Sequence, residues 1–306
     1  MHHPSVDRRE FLKSTAASCA VASLAGGPAA AAQQSAQDSK PFKKAVKYGM
    51  VQGDMPVMDK FKLLKELGFD GVEPNRPDDK VSRDEMLQAQ EATGIKIHGV
   101  VDALHWSDPL SDPSPEVRRR GVEGLKAALH DAKFFGASTV LVVPAVVNKE
   151  VSYDQAYERS QAGIREVLPL AAELGIKIAL ENVWNQFLLS PLETAQYIDS
   201  FGSPMIGAYF DVGNVVNYGW PEHWIRILGK RVLKLDIKEY SRKLRDEQGP
   251  RQGFRVELLE GDCDWPAVMQ AVREIGYTGW GTAEIPGGDR ARLADIAARM
   301  DRIFAS

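Results

Sequence analysis

The stretch "MIGAYFDVGN" (residues 205–214) runs mostly apolar until it meets Asp211, and a glycine follows two residues later. A strand that reads as buried and ends in a carboxylate would mean little once. Other apolar runs of this chain end the same way, and their order decides the fold. After Phe42, short β-branched or apolar runs alternate with longer segments of helical period. The runs are "VKYGMVQ" (46–52), "GVEP" (71–74), "IKIHGVV" (95–101), "TVLVVPAVV" (139–147), "IKIALENV" (176–183), "IGAYFDV" (206–212), "VLKLDIK" (232–238) and "GWGTAEIP" (279–286).

Helix candidates lie between them. "MDKFKLLKELGF" carries Phe61, Leu64 and Leu67 at a spacing of three. "PEVRRRGVEGLKAALHDAKFFGA" and "YDQAYERSQAGIREVLPLAAELGI" close at Gly136 and Gly175, as helix C-termini often do. "PLETAQYIDSFG" follows Ser190, an N-cap with Pro191 and Glu193 in the first turn, and "DWPAVMQAVREIGYTG" repeats that punctuation. Eight strand–helix units fit a closed barrel of about 250 residues. An open doubly wound sheet also alternates in this way, but no G-x-G-x-x-G or P-loop follows the first run. The fold class read here is α/β, a single-domain (β/α)8 TIM barrel spanning 43–306.

The N-terminus reads as an address. "DRREFLKSTAASCAVASLAGGPAAAAQQ" sets Arg8 and Arg9 before Phe11-Leu12-Lys13, then a weakly apolar segment, then an Ala-x-Ala site near Ala30–Ala32. This is the order of a twin-arginine export signal over residues 1–32. A polar linker over 33–42 follows. The expected destination is the periplasm or the exterior, with the twin-arginine machinery as a transient partner and no membrane association after cleavage. No second apolar run approaches the roughly 20 residues of a membrane span.

The 306 residues are 44% hydrophobic and 26% charged, and the net charge is −4, which disfavours a nucleic-acid-binding surface. Of the two cysteines, Cys19 falls in the export segment and Cys263 stands alone. No intrachain disulfide is expected in the mature chain, and nothing resembles a Cys/His zinc site. Oligomeric state is not legible, and a homo-oligomer stays open.

In a barrel of this kind the C-terminal strand ends surround the active site. The fifth run ends at Glu181, the sixth at Asp211, the seventh near Asp236 and the eighth at Glu284. Any one of these could be a solvated strand end or a helix cap. Together they would converge over the barrel mouth, where like charges a few ångströms apart raise one another's pKa sharply. A divalent cation removes the difficulty, and an all-oxygen set suits Mn²⁺ first, then Mg²⁺, Co²⁺ or Ca²⁺.

The segments "ALENVWNQFLLSPLE", "YFDVGNVVNYGWPEHWIRILG", "LDIKEYSR" and "AEIPGG" resemble the xylose-isomerase-like sugar isomerase/epimerase superfamily over nearly the whole mature chain. The resemblance implies metal ligands at Glu181, Asp211 and Glu284. It also implies a third ligand position at Asp236, where many relatives have histidine. The same likeness implies that Glu181 and Glu284 exchange a carbon-bound proton on opposite faces of a sugar.

Around this core, His105 and Trp106 match a His-Trp pair frequent in the family and would meet the substrate. Asn214 stands where some relatives carry a substrate-binding histidine. Trp184 and Asn185 would line the pocket. Glu73 could bond substrate or cap a loop. Lys238 and Arg242 could offset negative charge or bind hydroxyls. His98 reads as a core histidine, and His130 and His223 as surface residues. The charged run 238–262 reads as a cover for the substrate or as a solvated excursion, and "PGGD" (286–289) occupies a place where barrels often hold phosphate.

The implied function is a metal-dependent isomerase or epimerase of an unphosphorylated sugar, keto-sugar or cyclitol. The alternatives are a lyase or dehydratase on an oxidised sugar, or a non-catalytic carbohydrate-binding barrel. An endonuclease on abasic DNA shares the fold, but the acidic balance and the export signal count against it.

Overall fold

A computed structural model describes residues 40–76 and 83–306. The export signal, Cys19 and the 33–39 part of the linker lie outside the described residues.

Among the described residues nine parallel strands run in the order β3-β2-β1-β9-β8-β7-β6-β5-β4. They are β1 (Phe42–Lys47), β2 (Gly71–Glu73), β3 (Lys96–Ile97), β4 (Gly99–Val101), β5 (Thr139–Val142), β6 (Lys177–Glu181), β7 (Ile206–Asp211), β8 (Val232–Ile237) and β9 (Gly279–Ala283). The third of the eight expected strands is divided at His98. Its first half pairs with β2 and its second with β5. A bridge between Asn75 and Val101 closes the cylinder. Val101 N donates to Pro74 O and Arg76 N donates to Val101 O, each at 2.9 Å. The chain from Pro41 to Ser306 is one compact unit.

The first strand differs from the expected 46–52. Phe42–Lys47 pairs with β9 and β2, and Tyr48–Met50 turns off as a 3-10 helix. The loop after β9 crowds that turn. A Cβ on Gly287 would lie 2.1 Å from Met50 O, so only glycine fits there.

The helices follow their sequence signals. They are α1 (Val57–Glu66), α2 (Arg83–Thr93), α3 (Pro115–Phe135), α4 (Tyr153–Leu174), α5 (Pro191–Asp199), α6 (Val212–Val216), α7 (Pro221–Leu228), α8 (Arg242–Gln248), α9 (Trp265–Glu274) and α10 (Arg290–Ala305). Gly136 (φ 70°) and Gly175 (φ 70°) end α3 and α4 in the left-handed region. The Ser190 side chain accepts from Glu193 N at the start of α5, and Asp264 accepts from Ala267 N at the start of α9. No helix among the described residues is long and apolar enough to cross a membrane.

Side-chain alternation along the strands separates two layers. Val140, Val142, Ile178, Leu180, Ala208, Phe210, Leu235 and Ile237 join the large core beneath the helices. The residues between them, Leu141, Ala179 and Tyr209, form a separate cluster inside the cylinder. The same period turns Lys47, Glu73, Glu181, Asp211, Asp236 and Glu284 inward. Barrel interiors are usually filled by branched apolar side chains; the upper interior here is polar.

The charged run 238–262 is folded rather than extended, although Lys243, Asp246, Glu247, Arg251, Arg255 and Glu260 stay exposed. Glu239, almost fully buried, pins it from beneath. Its carboxylate accepts from Leu259 N (2.8 Å), Cys263 N (3.0 Å), Tyr240 N (3.2 Å) and Trp265 Nε1 (2.8 Å). Those bonds fold α8 and the following 3-10 turn (Pro250–Phe254) over the barrel mouth.

Candidate active site

Glu181 ends β6, Asp211 ends β7, Asp236 is the penultimate residue of β8, and Glu284 follows β9. Asp211 and Asp236 are register partners across β7 and β8. One oxygen from each of the four carboxylates lies within 4.8 Å of the others. Asp236 Oδ1 is buried without a partner, while Asp211 Oδ2, Asp236 Oδ2 and Glu284 Oε2 are buried and each meets a lysine ammonium. Buried polar atoms rarely go unpaired. An all-oxygen set of four converging carboxylates fits a hard divalent cation.

Two lysines stand among the acids. Lys238 Nζ is 2.8 Å from Asp211 Oδ2 and 2.6 Å from Glu284 Oε2. Lys47 Nζ, at the end of β1, is 2.6 Å from Glu73 Oε2 and 3.1 Å from Asp236 Oδ2. Burial alone would discharge Lys47, but Asp236, Glu73, Glu284 and Glu181 outweigh it and hold its pKa well above the lysine range. Lys238 is likewise raised against burial by Asp211 and Glu284.

The acids then divide. Burial, reinforced by Glu284, pushes Glu181 well above the carboxylate range. Burial raises Asp236 in the same way, and it raises Asp211 to about 6 against the pull of Lys238. Glu284 goes the other way. Burial would raise it, but Lys238 and Lys47 prevail and hold it at about 2.

The remaining expected site residues are distributed as follows. Glu73, His105, Trp106, Trp184, Asn214 and Lys238 line one cavity of about 1010 Å³, together with Glu181 and Glu284. Trp184 Nε1 donates to Asn214 O at 2.9 Å, which ties the β6 and β7 loops together. Asn185 does not line the cavity. Its amide donates to Ala145 O at 2.7 Å and accepts from Phe187 N at 3.3 Å, so both ends serve the loop. Arg242 is also absent from the wall. Its guanidinium donates to Val216 O and Gly219 O and stacks over Trp220, bracing the loop after α6. "PGGD" forms no phosphate cradle, because Gly288 N donates to Met50 O at 3.0 Å and Asp289 caps α10.

His98 is a core residue, as expected. Its ring stacks on Trp280 and meets Lys234 Nζ at 2.6 Å and Thr282 Oγ1 at 3.2 Å. Tyr209 OH continues the chain, with Thr282 and Glu73 each 2.9 Å away. A polar line thus runs from the barrel interior to Lys47.

Lys47, Asp102, Arg251 and Phe254 also line the cavity and were not anticipated. Placing the first strand too late hid Lys47. The inward alternation of Ala45 and Lys47, and the register Lys47↔Glu73, are the signals that expose it. Asp102 is pushed up to about 6 by burial, and His105 is lowered to about 4 by burial and by Lys47.

The chain matches the family model of the xylose isomerase-like TIM barrel over residues 61–303. It is 22% identical over 282 residues to L-ribulose-5-phosphate 3-epimerase UlaE of Escherichia coli O1:K1 / APEC, covering 85% of this chain and 96% of that protein. Among solved structures it is similar to 3-keto-D-glucoside 4-epimerase YcjR from E. coli. The TM-score is 0.71 at 16% identity, with 87% of this chain and 100% of that one covered. It is also similar to an L-ribulose 3-epimerase (TM-score 0.72, 16% identity, 86% and 94% covered).

Two outcomes follow from the charge balance. Lys47→Met leaves Glu73 and Asp236 buried beside no cation and is expected to cost about 3–5 kcal/mol in urea unfolding. Adding Glu73→Gln should recover part of that loss, with a coupling of about 1 kcal/mol or more in the double-mutant cycle.

Asp102 is raised in the folded state, so folding favours its protonated form. That contribution is present at low pH and is lost as pH rises from about 4 to about 6. Asp102→Asn escapes the loss. Its stability relative to the parent chain should grow by up to about 3 kcal/mol between pH 4 and pH 7, and an unchanged difference across that range would refute the assignment.

Proposed function

The chain belongs to the xylose isomerase-like TIM-barrel family, and on that premise we propose that it is a divalent-metal-dependent epimerase of an unphosphorylated sugar or keto-sugar. We read residues 1–32 as its twin-arginine export signal, 33–42 as a linker and 43–306 as the barrel, working in the periplasm or outside the cell. The observation that carries the catalytic reading is the convergence of Glu181, Asp211, Asp236 and Glu284, one oxygen of each within 4.8 Å of the others, with Asp236 Oδ1 buried and unpaired.

A divalent cation held by these four residues, Mn²⁺ first among the candidates, would supply Lewis acidity toward a carbonyl and its neighbouring hydroxyl. The two glutamates supply the proton chemistry. In strand order they flank the aspartates, Glu181 from β6 and Glu284 after β9, so they reach a bound sugar from two sides. Glu284, held ionised, takes the proton from the carbon beside the carbonyl. The C–H electrons become an enediolate. Glu181 delivers a proton to the opposite face and inverts the centre. Lys238, beside both Asp211 and Glu284, keeps Glu284 in its basic form.

Three of the four cavity cations are taken up by acids, which favours an uncharged substrate. Lys47 and Lys238 are engaged with acids, and Arg76 is paired with Asp131 at 3.1 Å. Arg251 is the one cavity cation without an ion pair among the described residues, and the glycine loop after β9 is tied to Met50.

The test is product NMR in D2O with Mn²⁺ and a panel of free and 3-keto sugars. Solvent deuterium is expected at one inverted carbon. Glu284→Gln should slow its entry by about 10²–10⁴-fold while the fold is retained. Exchange at the parental rate would refute the role of Glu284. Release of a leaving group would make the enzyme a lyase, and binding without exchange would make it a carbohydrate-binding barrel.

A further inference from the structure

We infer that the site takes its sugar as the terminal ring of a glycoside, with the second ring lying against Trp106, rather than as a free monosaccharide. This rests on the epimerase reading for the identity of the reacting ring. The second subsite stands on its own geometry.

His105 and Trp106 are consecutive but occupy different depths. His105 is buried, close enough to Lys47 and Glu284 to feel both charges, and its Nδ1 has no partner. That nitrogen suits a hydroxyl of a ring held over the carboxylates. Trp106 lines the same cavity yet is 54% exposed. Its ring stands edge-on to His105 with centroids 5.4 Å apart, so it continues the wall outward from the first ring. Tryptophan is highly buried on average, and an indole face open on a cavity wall is a stacking surface for an apolar ring face.

The size of the cavity agrees. Pockets for drug-sized ligands span about 300–1,000 Å³. This one, at about 1010 Å³, is several times what one six-carbon ring fills. Across the barrel the loop after β8 supplies Phe254 and Arg251 to the same wall. Arg251, without an ion pair among the described residues, is available to hydroxyls of an outer ring.

The experiment compares one-ring and two-ring probes on the Mn²⁺-loaded full chain. In D2O, 3-keto-cellobiose is expected to exchange its proton with kcat/KM at least 100-fold above 3-keto-glucose. Trp106→Ala should lower kcat/KM for the two-ring probe, through KM, by at least tenfold more than for the one-ring probe, and Trp106→Phe should recover part of that difference. Equal losses for both probes would overturn the inference. If neither probe exchanges, the epimerase reading fails, and calorimetry with cellobiose and glucose still decides the subsite. Tighter binding of cellobiose, weakened at least tenfold by Trp106→Ala, upholds it. Equal binding of the two sugars, or no binding of cellobiose, overturns it.

Discussion

The structure depends on holding several carboxylates together inside a closed barrel. Glu181, Asp211 and Asp236 are buried, and Glu284 is half-buried beside them. Repulsion and desolvation both oppose ionising such a group. Lys47 and Lys238 enter from β1 and from the end of β8, and each touches two acids. Two ammonium groups are fewer than the four clustered carboxylates and Glu73 that surround them. A divalent cation is the complement that such a set accepts. Asp236, where relatives of the resembling family often have histidine, makes the set more anionic, and Lys47 lies directly against it.

Strand periodicity delivers this arrangement. On β8 and just beyond it, Lys234, Asp236 and Lys238 alternate with Leu235 and Ile237, which pack outward. The polar side of one strand therefore supplies a lysine of the barrel interior, one carboxylate of the cluster and its counter-charge. Glycines make the room. A Cβ on Gly213 would lie 2.8 Å from Lys238 Cγ, and one on Gly99 would lie 2.3 Å from Glu73 Oε1. The polar line from Lys234 through His98, Thr282, Tyr209 and Glu73 joins this floor to the barrel interior.

Much of this was legible in the sequence. Strand ends at Glu181, Asp211 and Glu284 stand out because an apolar run stops at a charge, and the helices announce themselves through Ser190, Asp264, Gly136 and Gly175. Lys47 was hidden because "VKYGM" reads as a continuous strand, whereas Tyr48–Met50 turns away under contact from Gly287. Arg242 and Asn185 sit at plausible distances along the chain, but their hydrogen bonds go to loop carbonyls and a loop amide, which only the fold reveals. The break at His98 has the same character, since a strand's division depends on its neighbours.

Cation binding is the most direct test of the central arrangement. Calorimetric titration of the purified, metal-stripped chain with Mn²⁺ should give one site per chain, and Asp211→Asn should remove it while the circular dichroism of the barrel is retained. Absence of a site, or binding unchanged by Asp211→Asn, would contradict a common cation at these four strand ends.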